Sequence, residues 1–340
     1  MSTAHATHAR ERDRRNLRPV AAVALVPLLA ALALWAFAWP AARIAPRDLP
    51  LGVAGPTAAT ARLEQRLEHR KGAFEIHHYA DEAAARGAVE DRSVYGAVVV
   101  TDRGPELLTA SAAGPIVAQL LRQAFEEQAA ASGTELTTVD VVAAPANDPR
   151  GSVLSSSVLP LALAGIAAGA AVTLLGLRGR RAVIVLVAGA GLVGMAAAGL
   201  AHSWLGVLTG DWWTEAGVLG LATLAVGAAV AGLAALLGPA GLGLGASLMM
   251  LLGNPFSGAS SAPQMLPDPA GRIGQWLPPG ASATLLRSVS YFDGAAATGP
   301  ALTLTWWAAL GLGAVLVGGA LKARTKAAGP VTERDLAPVG

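Results

Sequence analysis

Apolar and polar residues are sorted into long blocks along this chain, not into the short periods of a soluble domain. Residues 20–39 carry no charge over 20 positions, close to what a helix needs to cross a hydrocarbon core of about 30 Å. A polar block follows at 41–157, and apolar stretches then recur at 161–177, 182–201, 216–237, 239–252 and 301–321. One span, a polar domain and five further spans predict an α-helical polytopic membrane protein of six spans with an inserted extracytoplasmic α/β domain. The boundaries read as a tail at 1–19, a first span at 20–39, the outer domain at 40–157 and spans two to five at 158–252. An outer segment at 253–300, the sixth span at 301–321 and a tail at 322–340 complete the chain.

Within the polar block, strand and helix patterns alternate. Strands are expected at 49–54, 74–79, 95–100, 105–109 and 136–143, with helices at about 57–71, 81–90 and 115–130. Gly55-Pro56 ends the first strand, and Ile116, Leu120, Leu121 and Phe125 give the last helix an apolar face. That order predicts a small α/β sheet domain, with a linker at 145–149 after its last strand, able to fold alone as residues 44–150.

Charge sets the orientation. The N-terminal tail carries Arg10, Arg12, Arg14, Arg15 and Arg18 against Glu11 and Asp13, and a cationic end of this kind stays cytoplasmic. The polar block is then outside. The next inner turn is Arg178-Gly179-Arg180-Arg181, the most basic short loop of the chain. Residues 203–215 lack Lys and Arg but hold Trp204, Trp212 and Trp213, which suits an outer interface, and Lys322, Arg324 and Lys326 return the C-terminus inside. Two inner ends need an even number of crossings. The 14 residues of 239–252 are short for a span, and parity makes them the fifth, extended through Asn254, Pro255 and Phe256 after a tight turn at Gly238-Pro239. A plasma-membrane protein with both termini cytoplasmic is the expected arrangement. The first span, longer than a signal core and lacking a small-x-small site, reads as an uncleaved anchor kinked at Pro27.

Overall the chain is 53% hydrophobic with a net charge of +2, and neither figure points to nucleic acid. It has no cysteine, which excludes disulfides and thiolate sites. Adjacent His77 and His78 face opposite sides of a strand and cannot share a metal. Asp81 and Glu82 read as a helix start, and Ser155-Ser156-Ser157 as a linker without a positioned base. No catalytic, metal or cofactor residues are expected. Without an ionisable group well inside any span, a self-driven secondary carrier is disfavoured. Small residues crowd 165–171, 189–194 and 241–245, which lets helices approach closely. The segment 253–300 holds two short helical patterns, 272–277 and 281–291, separated by Pro278-Pro279-Gly280. It reads either as an interfacial loop with Ile273, Trp276, Leu277, Leu285, Leu286 and Val289 toward the membrane, or as a re-entrant gate.

Several stretches carry a resemblance: Leu49-Pro-Leu-Gly-Val-Ala-Gly, Tyr95-Gly-Ala-Val-Val-Val, Gly253-Asn-Pro-Phe-Ser-Gly, Leu277-Pro-Pro-Gly and Leu286-Arg-Ser-Val-Ser-Tyr-Phe-Asp-Gly. With the span order, they make the chain resemble the ABC-2 type permease superfamily, in the branch with a large outer domain that includes Pip-like membrane proteins of actinobacteria. The resemblance implies a permease subunit of a membrane exporter, working as a homodimer with a separate ATP-binding subunit. A G-x-x-x-x-G-K-[ST] loop is absent, so ATP hydrolysis would fall to the partner. Candidate coupling residues are Arg178, Arg180 and Arg181, although their loop is short for the family's coupling helix; an interfacial helix at 9–17 would replace part of it. Candidate outer-gate residues are Asn254, Pro255, Arg272, Pro278, Pro279 and Arg287. The alternative is a non-transporting envelope protein whose outer domain binds or scaffolds a partner.

Overall fold

A computed structural model describes residues 23–57, 60, 61, 65, 72–102 and 104–327, with side chains to 324. The basic tail with its helix at 9–17, most of the helix at 57–71, the Lys326 side chain and residues 328–340 lie outside the described residues. The chain is mostly helical, with a small sheet domain.

Five helices are long and apolar enough to cross a membrane, which marks a multi-pass membrane protein. They are α1 (Val23–Ala41), α4 (Ser152–Leu174), α5 (Gly179–Ala198, continued by a π-turn to Trp204), α6 (Trp212–Leu237) and α10 (Thr298–Ala327). Between α6 and α10 run α7 (Pro239–Ser247, continued by a π-turn to Gly253), α8 (Ala270–Trp276) and α9 (Pro278–Tyr291). The expected fifth span is thus the shorter apolar helix Pro239–Gly253.

Helix α6 is the centre of the bundle, buried along most of its length, with α4, α5, α7, α9 and α10 packed round it. Glycines set these approaches. A Cβ on Gly194 of α5 would stand 2.3 Å from the Ala216 carbonyl oxygen of α6, and one on Gly311 of α10 would stand 2.3 Å from the Ala228 carbonyl carbon. Only hydrogen fits in such gaps. Helix α1, in contrast, exposes Val23, Val26, Leu28 and Leu34 and meets the rest near its end, where Trp39 lies edge-on to Phe256 at 6.2 Å.

The sheet domain has five strands, β1 (Leu49–Ala54), β2 (Phe74–Tyr79), β3 (Gly96–Thr101), β4 (Gly104–Thr109) and β5 (Thr137–Asp140), in the order β2-β1-β3-β4-β5. β1 runs parallel to β2 and β3, β3 antiparallel to β4, and β4 parallel to β5. Strand alternation builds two cores. Leu49, Leu51, Val53, Val98 and Leu107 meet α3 (Pro115–Ser132) through Val117, Leu121 and Phe125. On the other face Ala54, Ala97, Val99 and Leu108 meet α2 (Glu82–Glu90) through Ala85 and Val89. The strands and helices fall close to where the sequence puts them, with β5 shorter than expected. Asp81 is the N-cap of α2, accepting from the Ala84 amide at 2.8 Å, and Glu82 pairs with Arg86.

Two readings of the sequence need correction. Ser155, Ser156 and Ser157 are not a linker but lie inside α4, which starts at Ser152, ahead of the expected boundary at 158. Asp148 caps it, accepting from the Ser152 and Val153 amides at 2.8 Å each, and the serine hydroxyls fold back onto carbonyls one turn earlier. In addition, Pro278-Pro279-Gly280 does not separate two helices. It forms the first turn of α9, where proline lacks only an N–H that has no helical partner.

Candidate functional site

The outer segment is built into the molecule. Ala262 and Met265 complete the sheet core on the α3 face, and Phe292 completes the α2 face. Leu285 and Leu286 of α9 pack with Leu154, Leu208, Leu219 and Leu304 in the bundle, so they do not face outward as the interfacial reading requires. Trp276 alone of the large apolar residues expected there is strongly exposed, at 73%.

Between the sheet domain and this segment lies a cleft of about 700 Å³. It opens at the N-terminal ends of β1 and β2 and at the turn entering β3, unlike the C-terminal strand crevice that serves open parallel sheets. A short backbone ladder forms its floor, with the Ala45 amide donating to the Met265 carbonyl at 3.0 Å and the Arg47 amide to the Gln264 carbonyl at 2.9 Å. The Arg47 guanidinium donates to the carbonyls of Ala45, Met265 and Arg43. Tyr95 donates to Gln264 Oε1 at 2.9 Å, and burial raises its hydroxyl pKa. Gln275 ties the wall together, donating to the Ser257 carbonyl at 2.9 Å and accepting from Thr284 Oγ1 at 2.7 Å.

Arg92 sits at the junction, in a left-handed backbone conformation (φ 60°) after α2. Its Nη1 donates to the Thr284 carbonyl at 3.1 Å and to Ser288 Oγ, and its guanidinium lies over the Phe292 ring at 5.2 Å. Burial and the nearby Arg287 charge lower its pKa to about 10. Arg287, itself 5% exposed, donates to the Ala259 carbonyl at 3.0 Å, and burial lowers its pKa as well. None of the ion pairs among the described residues involves Arg47, Arg92 or Arg287. Paired donors without a counter-charge suit an anion.

The residues expected to form one gate are divided. Arg272 is on the cleft rim, exposed and paired with Asp268 at 3.2 Å. Arg287 stands behind Arg92. Pro279 abuts Gly253, where a Cβ would lie 2.7 Å from the proline Cγ; Pro278 begins α9, and Asn254 and Pro255 are half-buried after α7. Arg178, Arg180 and Arg181 are exposed at the start of α5, Arg178 as its N-cap.

Arg47, Arg92, Tyr95, Gln264 and Gln275 were invisible as a group in the sequence, since 169 positions separate Tyr95 from Gln264. A buried acid was missed as well. Glu215 is not part of the 203–215 loop but lies in the first turn of α6, fully buried at the end of that span and not well inside it. It accepts from the Gly210 amide at 2.8 Å and meets His202 Nδ1 at 2.7 Å. Among the described residues no three His, Asp or Glu side chains gather as a metal site. No protein-family model, curated protein or solved structure matches the chain.

Proposed function

We propose that the chain is an ABC-2-like permease subunit of a membrane exporter in the plasma membrane, driven as a homodimer by a separate ATPase chain. In this reading the sheet domain is extracytoplasmic, both termini are cytoplasmic, and Pro239–Gly253 makes the fifth of six crossings. The observation that carries it is α9. This helix is neither a span nor a free loop: it is buried against α4, α6 and α10 at one end of the bundle and fastened to the sheet domain through Arg92. A gate needs such an element, packed where a path would open and connected to a body able to move it.

A second reading, an envelope protein whose outer domain binds a partner, draws support from the turn between α4 and α5. Only residues 175–178 separate the two helices, which leaves Arg178, Arg180 and Arg181 as the whole of that inner docking surface. Mild-detergent purification of the tagged chain decides between them. The permease reading expects a co-purifying chain that hydrolyses ATP and is lost from the R178Q/R180C/R181Q variant, while external thiol labelling still finds position 180 inside. If the wild type brings down no ATP-hydrolysing chain, the envelope reading replaces it.

A further inference from the structure

We infer that the cleft between the sheet domain and α8–α9 binds a small amphiphile through its anionic head, a phosphate or a carboxylate. The inference goes beyond the proposed function, because it holds whether the chain exports this molecule or only senses it. The cleft's volume of about 700 Å³ is within the usual range for small-molecule sites, roughly 300–1,000 Å³.

Its charges are distributed unevenly in depth. Asp268 is engaged by Arg272, and Glu75 is exposed and meets His77 at 3.5 Å. Asp48 also reaches solvent, so these acids are screened by water. Arg92 is half-buried with Arg287, 5% exposed, close by, and among the described residues neither pairs with a carboxylate. Among the described residues only Nη1 of Arg92 has a hydrogen-bond partner, which leaves Nε and Nη2 for a ligand, and a fork of this kind matches the paired oxygens of a carboxylate or phosphate. Two neighbouring cations with no counter-charge repel each other, and an anion that joins them relieves the repulsion. The second half of the site is apolar. Val94, Leu266 and the exposed Trp276 line the same cleft, and the backbone at Trp276 is tied to the bundle, its carbonyl accepting from Trp307 Nε1 at 2.7 Å. An acyl or aryl tail would cover that face while the head meets Arg92.

The test is equilibrium binding to the purified full chain in a neutral detergent. The probes are dihexanoylphosphatidic acid, octanoate, inorganic phosphate and zwitterionic dihexanoylphosphatidylcholine. Either anionic amphiphile should bind, and Arg92→Gln should weaken it about tenfold or more, the scale of one charge-assisted hydrogen bond. Arg92→Lys should recover part of the affinity. Trp276→Ala, at an exposed position that the fold does not need, should weaken the amphiphiles and leave phosphate unchanged. Binding of neither anionic amphiphile, equal binding of the zwitterion, or undiminished binding to Arg92→Gln overturns the inference. Phosphate binding as tightly as the amphiphiles overturns the tail contact and leaves a site for the free anion. An ATPase partner plays no part in this measurement, so it can fail or succeed independently of the permease reading.

Discussion

Replacing Met265 and Phe292 by alanine, singly and together, should loosen the sheet domain from outside its own stretch of sequence. Met265 is 1% exposed among Leu49, Leu51, Val53 and Phe125, and Phe292 is 5% exposed against Ala85, Val89 and Val99. Truncation of a buried Met or Phe costs about 2–5 kcal/mol. The two occupy opposite faces of the sheet, so their effects should nearly add, to roughly 5 kcal/mol or more. A domain of this size holds about 5–15 kcal/mol in total. Hydrogen exchange of β1 and β3 amides in the full chain reads this directly. At about 2 kcal/mol each single variant should accelerate exchange roughly 30-fold, and the double variant should lose most protection. The domain contains no tryptophan, so the fluorescence of Trp204, Trp212, Trp213, Trp306 and Trp307 serves as an internal control on the bundle. By the same reasoning residues 44–150 alone lack both plugs and should not melt cooperatively, contrary to what their strand and helix pattern suggests. Unchanged exchange in the double variant, or a fragment as stable as the domain in the full chain, would refute the argument.

Two further outcomes follow from the packing and the charges. Gly194→Val should lower the melting temperature in detergent, since its side chain meets the Ala216 carbonyl and overpacking costs about 1–3 kcal/mol. Gly191→Val, whose Cβ meets nothing within 4 Å, should be nearly neutral, and identical melting of the pair would contradict the proposed helix contact. Arg92→Met should leave the ligand-free protein as stable or about 1 kcal/mol more stable, a gain seen when buried charge gives way to apolar packing. Because burial lowers the folded pKa of Arg92 to about 10, below that of the guanidinium in the unfolded chain, its penalty is full at neutral pH and is relieved as pH rises through 10. A clear loss of stability in Arg92→Met would show that its bonds to Thr284 and Ser288 outweigh that penalty.

The legible parts of the fold are those specified by neighbours in sequence. β1 and β2 could be read to the residue because turn residues follow the apolar run 49–54 and alternation continues through 74–79. The long apolar helices were legible from length alone. Ser155–Ser157 was misread because three serines look like a linker unless their hydroxyls have carbonyls one turn back to bond, which only an already formed helix offers. Glu215 was misplaced because a carboxylate next to two tryptophans resembles an interface, and its partner His202 lies across a turn that brings α5 back to α6. The cleft was least legible. Arg92 follows Asp91 at a helix end, where an arginine is ordinary, and nothing local predicts that α9 will arrive over it.

Arg92 also suggests why the cleft is placed at the junction and not inside either part. A protein that needed only to fasten its sheet domain to α9 would fill the contact with apolar side chains, as Met265 and Phe292 do nearby. Instead the fastening is made by a cation whose bonds go to the Thr284 carbonyl and Ser288 of α9, and the same residue lines the open cleft. A ligand filling the cleft would lie against Arg92 of the sheet domain on one side and Trp276 of α8 on the other, since both line that space. Its binding energy would then depend on the distance between the two bodies, and by linkage its presence would change the preference for that distance. The bundle side of this contact is α9, which rests on the central helix α6. Occupancy of the cleft and the position of α9 would in this way be parts of one equilibrium.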